Sequence, residues 1–189
     1  MKKSPSITSK LPAALALLVV VAIWWGASAG GAVPEFMLPS PAQVAQALIG
    51  DAPALWENAK VTLQEAAYGL LIGIAVALVL ATLMHRVRWL YRALYPILVI
   101  TQTIPTIAIA PLLVLWMGFG MAPKITLVVI TTFFPISIGL LDGYRSADPD
   151  EVNLLRAMGA NRLQVFWHIK LPSATGSFFS GLRISASYA

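Results

Sequence analysis

Hydrophobic residues occur along this chain in long runs that short polar stretches separate. The runs cover Leu11–Ala29, Val61–Met84, Ala93–Met117 and Lys124–Leu141, and another begins near Ala174. An α-helix rises ~1.5 Å per residue, so a run of about 20 residues crosses the ~30 Å hydrocarbon core of a bilayer. The pattern therefore predicts an all-α, polytopic membrane helix bundle with about five helices.

Composition agrees with a membrane protein. Of the 189 residues, 58% are hydrophobic and 11% are charged, whereas a soluble domain carries about 25% charged residues. Cysteine is absent, which excludes disulfides, thiolate metal sites and a cysteine nucleophile. A net charge of +5 could indicate nucleic-acid binding in a soluble protein, but here the basic residues are first read as topology signals. We expect no nucleic-acid partner.

The basic residues predict an orientation. All of the thirteen Lys and Arg residues except Lys60 and Lys124 lie in residues 1–10, in the loop that follows Met84, or beyond residue 143. Cytoplasmic loops of membrane proteins carry the excess of Lys and Arg. Residues 1–10 are therefore expected to form a cytoplasmic N-terminus, and the loop over residues 30–60 is expected outside.

The first hydrophobic run has two interpretations. It is a retained transmembrane helix, or it is a cleaved signal peptide, because residues 27–29 read Ala-Ser-Ala, as in a cleavage site. The length of the run favours the retained helix. In the outer loop, Ser40 followed by Pro41 predicts the N-cap and first residue of a short helix on the membrane surface.

Three features inside the runs bear on packing and on a path. Gly69 and Gly73 lie four residues apart, which predicts close contact with a neighbouring helix. Glu65 is the one acid well inside a run, and we expect it to be solvated or paired near the outer end. Prolines at positions 96, 105 and 111 predict a bent helix. The bend either borders a protein-lined path or serves packing alone.

Signatures of enzymatic chemistry are missing from the sequence. It contains no G-x-x-x-x-G-K-[ST] phosphate loop, no H-E-x-x-H and no G-x-S-x-G. The two histidines, His85 and His168, both fall in stretches assigned to the cytoplasm. We therefore expect no catalytic activity, no cofactor and no metal site in this chain.

A polar stretch of some 25 residues interrupts the hydrophobic pattern before the last run. Asp148 and Pro149 predict a capped helix start, and Glu151 stands three residues after Asp148, as in a capping box. Val152, Leu155 and Met158 recur at threes and predict one hydrophobic face of this helix. We expect a short peg of about 15 Å that projects into the cytoplasm.

The second half of this stretch predicts another helix after a tight turn. Gly159 fits a left-handed C-terminal cap, and Asn161 can begin the next helix. Pro172 is expected to stop or kink that helix. The side chains expected to form an amphipathic surface suited to the membrane interface are Leu163, Phe166, Trp167 and Lys170.

The spacing in this stretch resembles the cytoplasmic "EAA" loop of ATP-binding-cassette importer permeases. That family's pattern is Glu-Ala-Ala, three residues, Gly, nine residues and Ile-x-Leu-Pro. Here Gly159 is followed by nine residues and then by residues 169–172, Ile-Lys-Leu-Pro. The chain departs from the pattern at the front, where the Glu-Ala-Ala positions read Asn153, Leu154 and Leu155. Residues 38–48 and 102–120 also resemble the permease subfamily that serves nitrate, taurine and alkanesulfonate uptake.

The resemblance implies a type I importer permease fold over residues 11–189, with a coupling loop at 144–173. It implies a permease subunit of the bacterial inner membrane that forms the path for a small solute. The solute that the resemblance implies is an anion such as nitrate, taurine or an alkanesulfonate. Because permeases of this type have six helices, the chain is expected to be truncated in its fifth. The implied partners are a separate ATPase subunit, a second permease copy in a homodimer, a periplasmic or lipid-anchored solute-binding protein, and membrane lipid.

Two sets of functional residues follow from the resemblance. The residues expected to couple to the ATPase are Glu151, Leu155, Arg156, Met158, Gly159, Ala160 and Asn161. The residues expected along a translocation path are Gln102, Thr103, Pro105, Thr131, Thr132 and Ser137.

Other classes of membrane protein compete with this interpretation. An ion-coupled secondary transporter usually places ion-coordinating groups at mid-membrane, and the runs here are poor in acids. A membrane scaffold protein without transport activity is the more distant alternative. Related permeases also serve thiamine-precursor uptake, so an anion is one of two substrate classes that the resemblance allows.

Overall fold

The computed structural model describes residues 7–29 and 33–189. Most of the predicted N-terminus, residues 1–6, therefore lies outside the described residues. Regular secondary structure in the described part is entirely helical, which confirms the all-α prediction. The helices are α1 (Ile7–Ala29), α2 (Pro41–Gly50), α3 (Ala52–Arg86), α4 (Arg88–Thr101), α5 (Thr106–Met117), α6 (Met121–Arg145), α7 (Pro149–Ala157), α8 (Arg162–Val165), α9 (Leu171–Ser173) and α10 (Thr175–Tyr188).

The chain divides into two compact units, residues 1–60 and 61–189. In the first unit, the indole N–H of Trp24 donates a hydrogen bond to the Pro39 carbonyl at 3.0 Å and ties α1 to the segment before α2. The predicted cap of α2 is confirmed. The Gln43 N–H donates to the Ser40 hydroxyl, and the Ser40 N–H donates to the Gln43 side chain.

Helix α3 begins earlier than the hydrophobic pattern predicted. Residues 52–60 were expected in the outer loop, but they form its first turns. Those turns are polar on average, so a hydrophobicity boundary cannot detect them, although Ala, Leu and Glu favour a helix there. The helix has 35 residues and is therefore ~52 Å long, which exceeds the hydrocarbon core.

Small residues along α3 form its contact with α6. Gly69, Gly73, Ala77 and Ala81 recur every fourth residue, and all four are buried. A Cβ atom at Gly69 would lie 2.5 Å from the Val128 side chain, and one at Gly73 would overlap the Thr132 hydroxyl. The glycines permit this close approach, as the sequence predicted.

The third hydrophobic run forms two helices, which corrects the expected single bent helix. The chain breaks between Thr101 and Thr106, and the axes of α4 and α5 differ by 101°. Pro105 has no N–H to continue the ladder and directly precedes α5, whereas Pro96 and Pro111 lie inside their helices. Together, α4 and α5 form either one broken membrane span or a re-entrant loop.

Helices α6 and α10 pack together through a second set of glycines. Cβ atoms at Gly139, Gly143 and Gly181 would lie 2.5–2.6 Å from atoms of the opposite helix or its leading turn. By length and hydropathy, α1, α3 and α6 can each cross a membrane, and the α4–α5 pair counts as a fourth if it is one span. Helix α10 has 14 residues and is ~21 Å long, shorter than the bilayer core.

Candidate coupling loop and translocation path

The polar stretch after α6 folds as a helix-turn-helix. The Asp148 carboxylate accepts a hydrogen bond from the Asp150 N–H at 2.9 Å at the start of α7, which confirms the predicted cap. The expected reciprocal capping box does not form, and the Glu151 side chain is exposed instead. Helix α7 has nine residues and is ~14 Å long, close to the predicted peg.

The turn of this loop has the predicted backbone chemistry. Gly159 has φ +88°, a conformation that residues with a side chain adopt only with strain. Asn161 then accepts hydrogen bonds from the Leu163 and Gln164 N–H groups, and its own N–H donates to the Gln164 side chain at 2.8 Å. These contacts are local, so the turn has one defined geometry.

The loop has a hydrophobic core of its own. The buried members are Ala147, Val152, Val165 and Ile169, with Leu155 and Ala160 packed against them. Met158, expected on this face, is 74% exposed. The reason is that α7 ends at Ala157 and leaves Met158 at the cap.

An exposed hydrophobic patch remains on the outer side of α7. Leu154 is 65% exposed, and Met158 follows it by four residues, so the two side chains share one face of the helix. Leu154 is not among the residues predicted to couple to the ATPase. A search for hydrophobic residues four positions apart, instead of three, pairs Leu154 with Met158.

The segment after α8 is wider than an α-helix. Residues Phe166–Lys170 form a π-helical turn, a feature that is often found at functional sites. Phe166 is buried and Lys170 is half-buried, so the predicted membrane-facing surface reduces to Leu163 and Trp167, the latter 58% exposed. Pro172 does not stop the helix, because it lies in the first turn of α9, where a missing N–H is tolerated.

This π-helical turn joins the loop to α3 and α6. The Lys170 ammonium donates a hydrogen bond to Nε2 of a neutral His85 at 2.9 Å. The His85 and Phe166 rings lie 5.1 and 5.2 Å from the Tyr144 ring, and the Tyr144 hydroxyl lies 3.3 Å from that of Thr82. His85 was predicted in the cytoplasm but without a partner, because Lys170 is 85 positions away along the chain.

Two of the six residues predicted along a path line one cavity. It has a volume of about 210 Å³, and its lining residues are Thr101, Gln102, Ile104, Thr106, Ile109, Ile130, Thr131 and Tyr188. The cavity lies where α4 breaks before α5. Hydroxyl, amide and phenol groups line it, and no charged residue does.

The other predicted path residues lie elsewhere. Thr132 and Ser137 are fully buried, and their hydroxyls donate to backbone carbonyls of their own helix. The Thr132 carbonyl also accepts a hydrogen bond from Ser185 at 2.6 Å, so this residue belongs to a helix interface. Thr103 and Pro105 are exposed beside the break and do not line the cavity.

Comparison with known proteins identifies the family. The profile of the binding-protein-dependent transport system inner membrane component family matches residues 69–189. The chain belongs to this family. A probable ABC transporter permease protein of Haemophilus influenzae is 40% identical over 90% of this chain and 70% of its own length.

Two further relatives carry substrate names. The formylaminopyrimidine transport permease protein ThiX of Halalkalibacterium halodurans is 36% identical over 90% of this chain and 69% of its own length. The taurine transport system permease protein TauC of Escherichia coli is 27% identical over 89% of this chain and 64% of its own length.

Family membership decides the protein's class. This is an integral inner-membrane permease subunit of a binding-protein-dependent ABC importer, and it is not itself an enzyme. Members of the family work with an ATPase and a substrate-binding protein. The secondary transporter and the scaffold protein are therefore set aside as alternatives.

Proposed function

We propose that the loop over residues 144–173 is the element through which the ATPase drives this permease. The observation that carries the proposal is the bond between Lys170 and His85, because it joins the loop directly to the end of α3. The exposed patch of Leu154 and Met158 supplies a docking face on the same loop. A partner that moves this patch would displace the loop as a unit, because the loop has a hydrophobic core of its own.

The contacts around Tyr144 give the motion a route into the membrane. Tyr144 lies in α6, His85 in α3 and Phe166 in the loop, and the three rings are in mutual contact. Displacement of packed elements is transmitted as rigid-body motion, since close-packed interfaces do not deform continuously. The residues proposed to act in coupling remain those of the predicted set, with Leu154 added.

A crosslinking experiment tests the docking face. Met158→Cys, paired with single cysteines around the groove of the cognate ATPase, is expected to form a disulfide-linked adduct, whereas Asp51→Cys on the opposite side of the membrane forms none. Leu154→Ala together with Met158→Ala should reduce ATPase co-purification about tenfold, because a few side chains carry most of the binding energy of an interface. Unchanged co-purification and no adduct would show that the ATPase docks elsewhere.

We further propose the orientation with the N-terminus in the cytoplasm. The excess of basic residues on that side supports it. Single cysteines at Ser9 and Asn161 should be protected from an impermeant thiol reagent in intact cells, and one at Asp51 should react. The reverse labelling pattern would overturn the orientation without bearing on the coupling loop.

The proposed path passes the cavity that Gln102, Thr131 and Tyr188 line. A polar cavity beside a broken helix is where membrane proteins place solute sites. Because the lining lacks a cationic group, it favours an uncharged polar heterocycle, the class to which the formylaminopyrimidine named for one relative belongs. A small anion such as taurine or an alkanesulfonate is the second substrate class, and hydroxyl and amide donors can also bind it.

Transport assays distinguish the two classes. In vesicles that hold the importer with its ATPase and binding protein, a labelled aminopyrimidine should be accumulated and taurine should not. Thr131→Val removes a hydroxyl at nearly constant volume and should lower the rate several-fold, while Thr126→Val, outside the cavity on the same helix, should leave it unchanged. Accumulation of taurine alone would establish the anion.

We propose that two copies of the chain form the permease pair. Helix α5 supports this with large exposed hydrophobic side chains, including Ile107, Leu115 and Trp116, that lipid or a second copy must cover. Mass measurement of the assembled importer in detergent decides between a homodimer and a pair with a different permease.

A further inference from the structure

A cationic cavity lies where the coupling loop meets the end of α3. Its volume is about 300 Å³, and its lining residues are His85, Arg86, Arg156, Arg162, Val165, Phe166 and Lys170. Four of these side chains are cationic and none is acidic. They come from α3, α7, α8 and the π-helical turn, so only the folded loop brings them together.

None of the cations in this cavity forms an ion pair with an acidic side chain of the described residues. The two ion pairs in the described part of the chain are Lys60–Glu57 and Lys124–Glu65, and neither includes a residue of the cavity. Two adjoining cavities that share His85 are also without an acid. Burial and the nearby charge of Arg156 lower the pKa of the Lys170 ammonium, as expected in a field of like charge.

The lining matches a phosphate group in its chemistry. Arginine side chains present paired N–H donors that fit phosphate oxygens bidentately, and a lysine adds a point charge. Arg156 and Arg162 are exposed and therefore free to turn toward a ligand. Val165 and Phe166 supply a buried hydrophobic floor beside these donors.

The position of the cavity favours a lipid as the source of that phosphate. His85 and Arg86 are the last residues of α3, directly after the hydrophobic run that ends at Met84. Leu163 and Trp167 are exposed on the segment that carries Arg162, and Trp side chains are enriched where hydrocarbon meets headgroups. Basic pockets between transmembrane elements at this level bind anionic headgroups.

We infer that this cavity binds the phosphate headgroup of an anionic phospholipid and thereby neutralises the joint between the coupling loop and α3. Both components of the joint, His85 and Lys170, line the cavity. A bound phosphate lowers the repulsion among the cations that the loop must hold together. Membrane charge would then influence how firmly the loop is attached.

Lipid binding to the purified protein tests the inference. Short-chain phosphatidylglycerol should bind in detergent, as seen by native mass spectrometry, and phosphatidylcholine of the same chain length should not compete with it. Arg156→Gln combined with Arg162→Gln should weaken binding about 30-fold, since each basic residue near the membrane surface contributes about fivefold. The affinity should fall with added salt.

A control variant and a second ligand test whether the binding is specific to this cavity and to lipid. Arg92→Gln with Arg183→Gln removes the same charge outside this cavity and should leave the affinity unchanged. Inorganic phosphate that binds with equal affinity would show that free phosphate, and not lipid, is the ligand. Equal binding of both phospholipids, or an unaltered affinity in the cavity variant, overturns the inference.

Adding the ATPase tests whether the cavity binds a protein side chain instead of a lipid. If the cavity receives an acidic side chain of the ATPase instead, the cavity variant will lose ATPase binding but will bind phosphatidylglycerol as the unaltered protein does. That outcome also overturns the inference. Because docking at Leu154 and Met158 is measured separately, it leaves the proposed coupling role intact.

Discussion

Helix α3 carries two titratable side chains that each meet a lysine from another element, but their surroundings differ. In the N-terminal half of the helix, Glu65 is only 6% exposed and forms an ion pair with Lys124 of α6 at 3.0 Å. At the C-terminal end, His85 accepts a hydrogen bond from Lys170 among further cations. The first contact balances its own charge, and the second leaves a positive excess.

This difference separates a structural tie from an adjustable joint. A buried carboxylate is stable only while its partner stays close, so the Glu65 contact holds α3 and α6 together. A neutral imidazole that accepts from an ammonium can exchange that contact for water at small cost. The joint at His85 can therefore respond to a partner or to a ligand, as a coupling element requires.

The largest expected effect is at the charge-balanced contact between Glu65 and Lys124. Lys124→Ala leaves the buried Glu65 carboxylate without its cation and should lower the free energy of unfolding by about 2 kcal/mol. The measurement is thermal unfolding in detergent. Lys124→Arg should retain most of the stability, and Glu65→Gln with Lys124→Gln should recover part of it. A fully stable Lys124→Ala variant would show that the ion pair is not a structural tie.

The next effect is at the joint. His85→Ala removes the acceptor for Lys170 and a ring contact with Tyr144, for a loss of about 1.5 kcal/mol. Because the joint connects the loop to α3, the same variant should also reduce substrate-stimulated ATP hydrolysis in vesicles. Thr126→Val, remote from the joint, provides the control for both assays. Normal stimulation in a variant that is measurably less stable would mean that His85 is only structural.

A smaller effect is expected at the turn of the loop. Gly159→Ala forces a side chain into the left-handed region and should cost about 1 kcal/mol. Nothing lies within 4 Å of the added methyl group, so the change acts on the backbone alone. Titration with the cognate ATPase should show roughly fivefold weaker binding. Gly176→Ala, which also has free space but no positive φ, should bind normally, and equal behaviour of the two variants would contradict the argument.

The smallest effect is expected for a cationic residue outside the cavities around His85. Arg183→Gln changes an exposed residue of α10 that lines none of the three cavities around His85. The free energy of unfolding should change by less than about 0.5 kcal/mol. Unfolding and ATP hydrolysis are measured beside those of the His85 variant. A comparable loss in both variants would mean that charge in general, and not this joint, governs the protein.

The helices and their caps were predictable because they depend on neighbours along the chain. Ser40, Asp148 and Asn161 bond to N–H groups within three residues of themselves, and Gly159 adopts its φ within one turn. Hydrophobic run length likewise predicted the spans, apart from their polar first turns. The break between α4 and α5 was the exception, since proline predicts a bend without its angle.

The sequence by itself thus determined the class of protein, the loop and its turn, and a relation to the importer permeases. Only the tertiary structure decided which distant residues meet. Glu65 pairs with Lys124 because a seam of Gly and Ala lets α3 lie close against α6. His85 meets Lys170 because the π-helical turn packs its Phe166 ring against His85 and Tyr144. Helix periodicity places a side chain on a face, but the partner on the opposite face depends on how two helices pack, which no local pattern encodes.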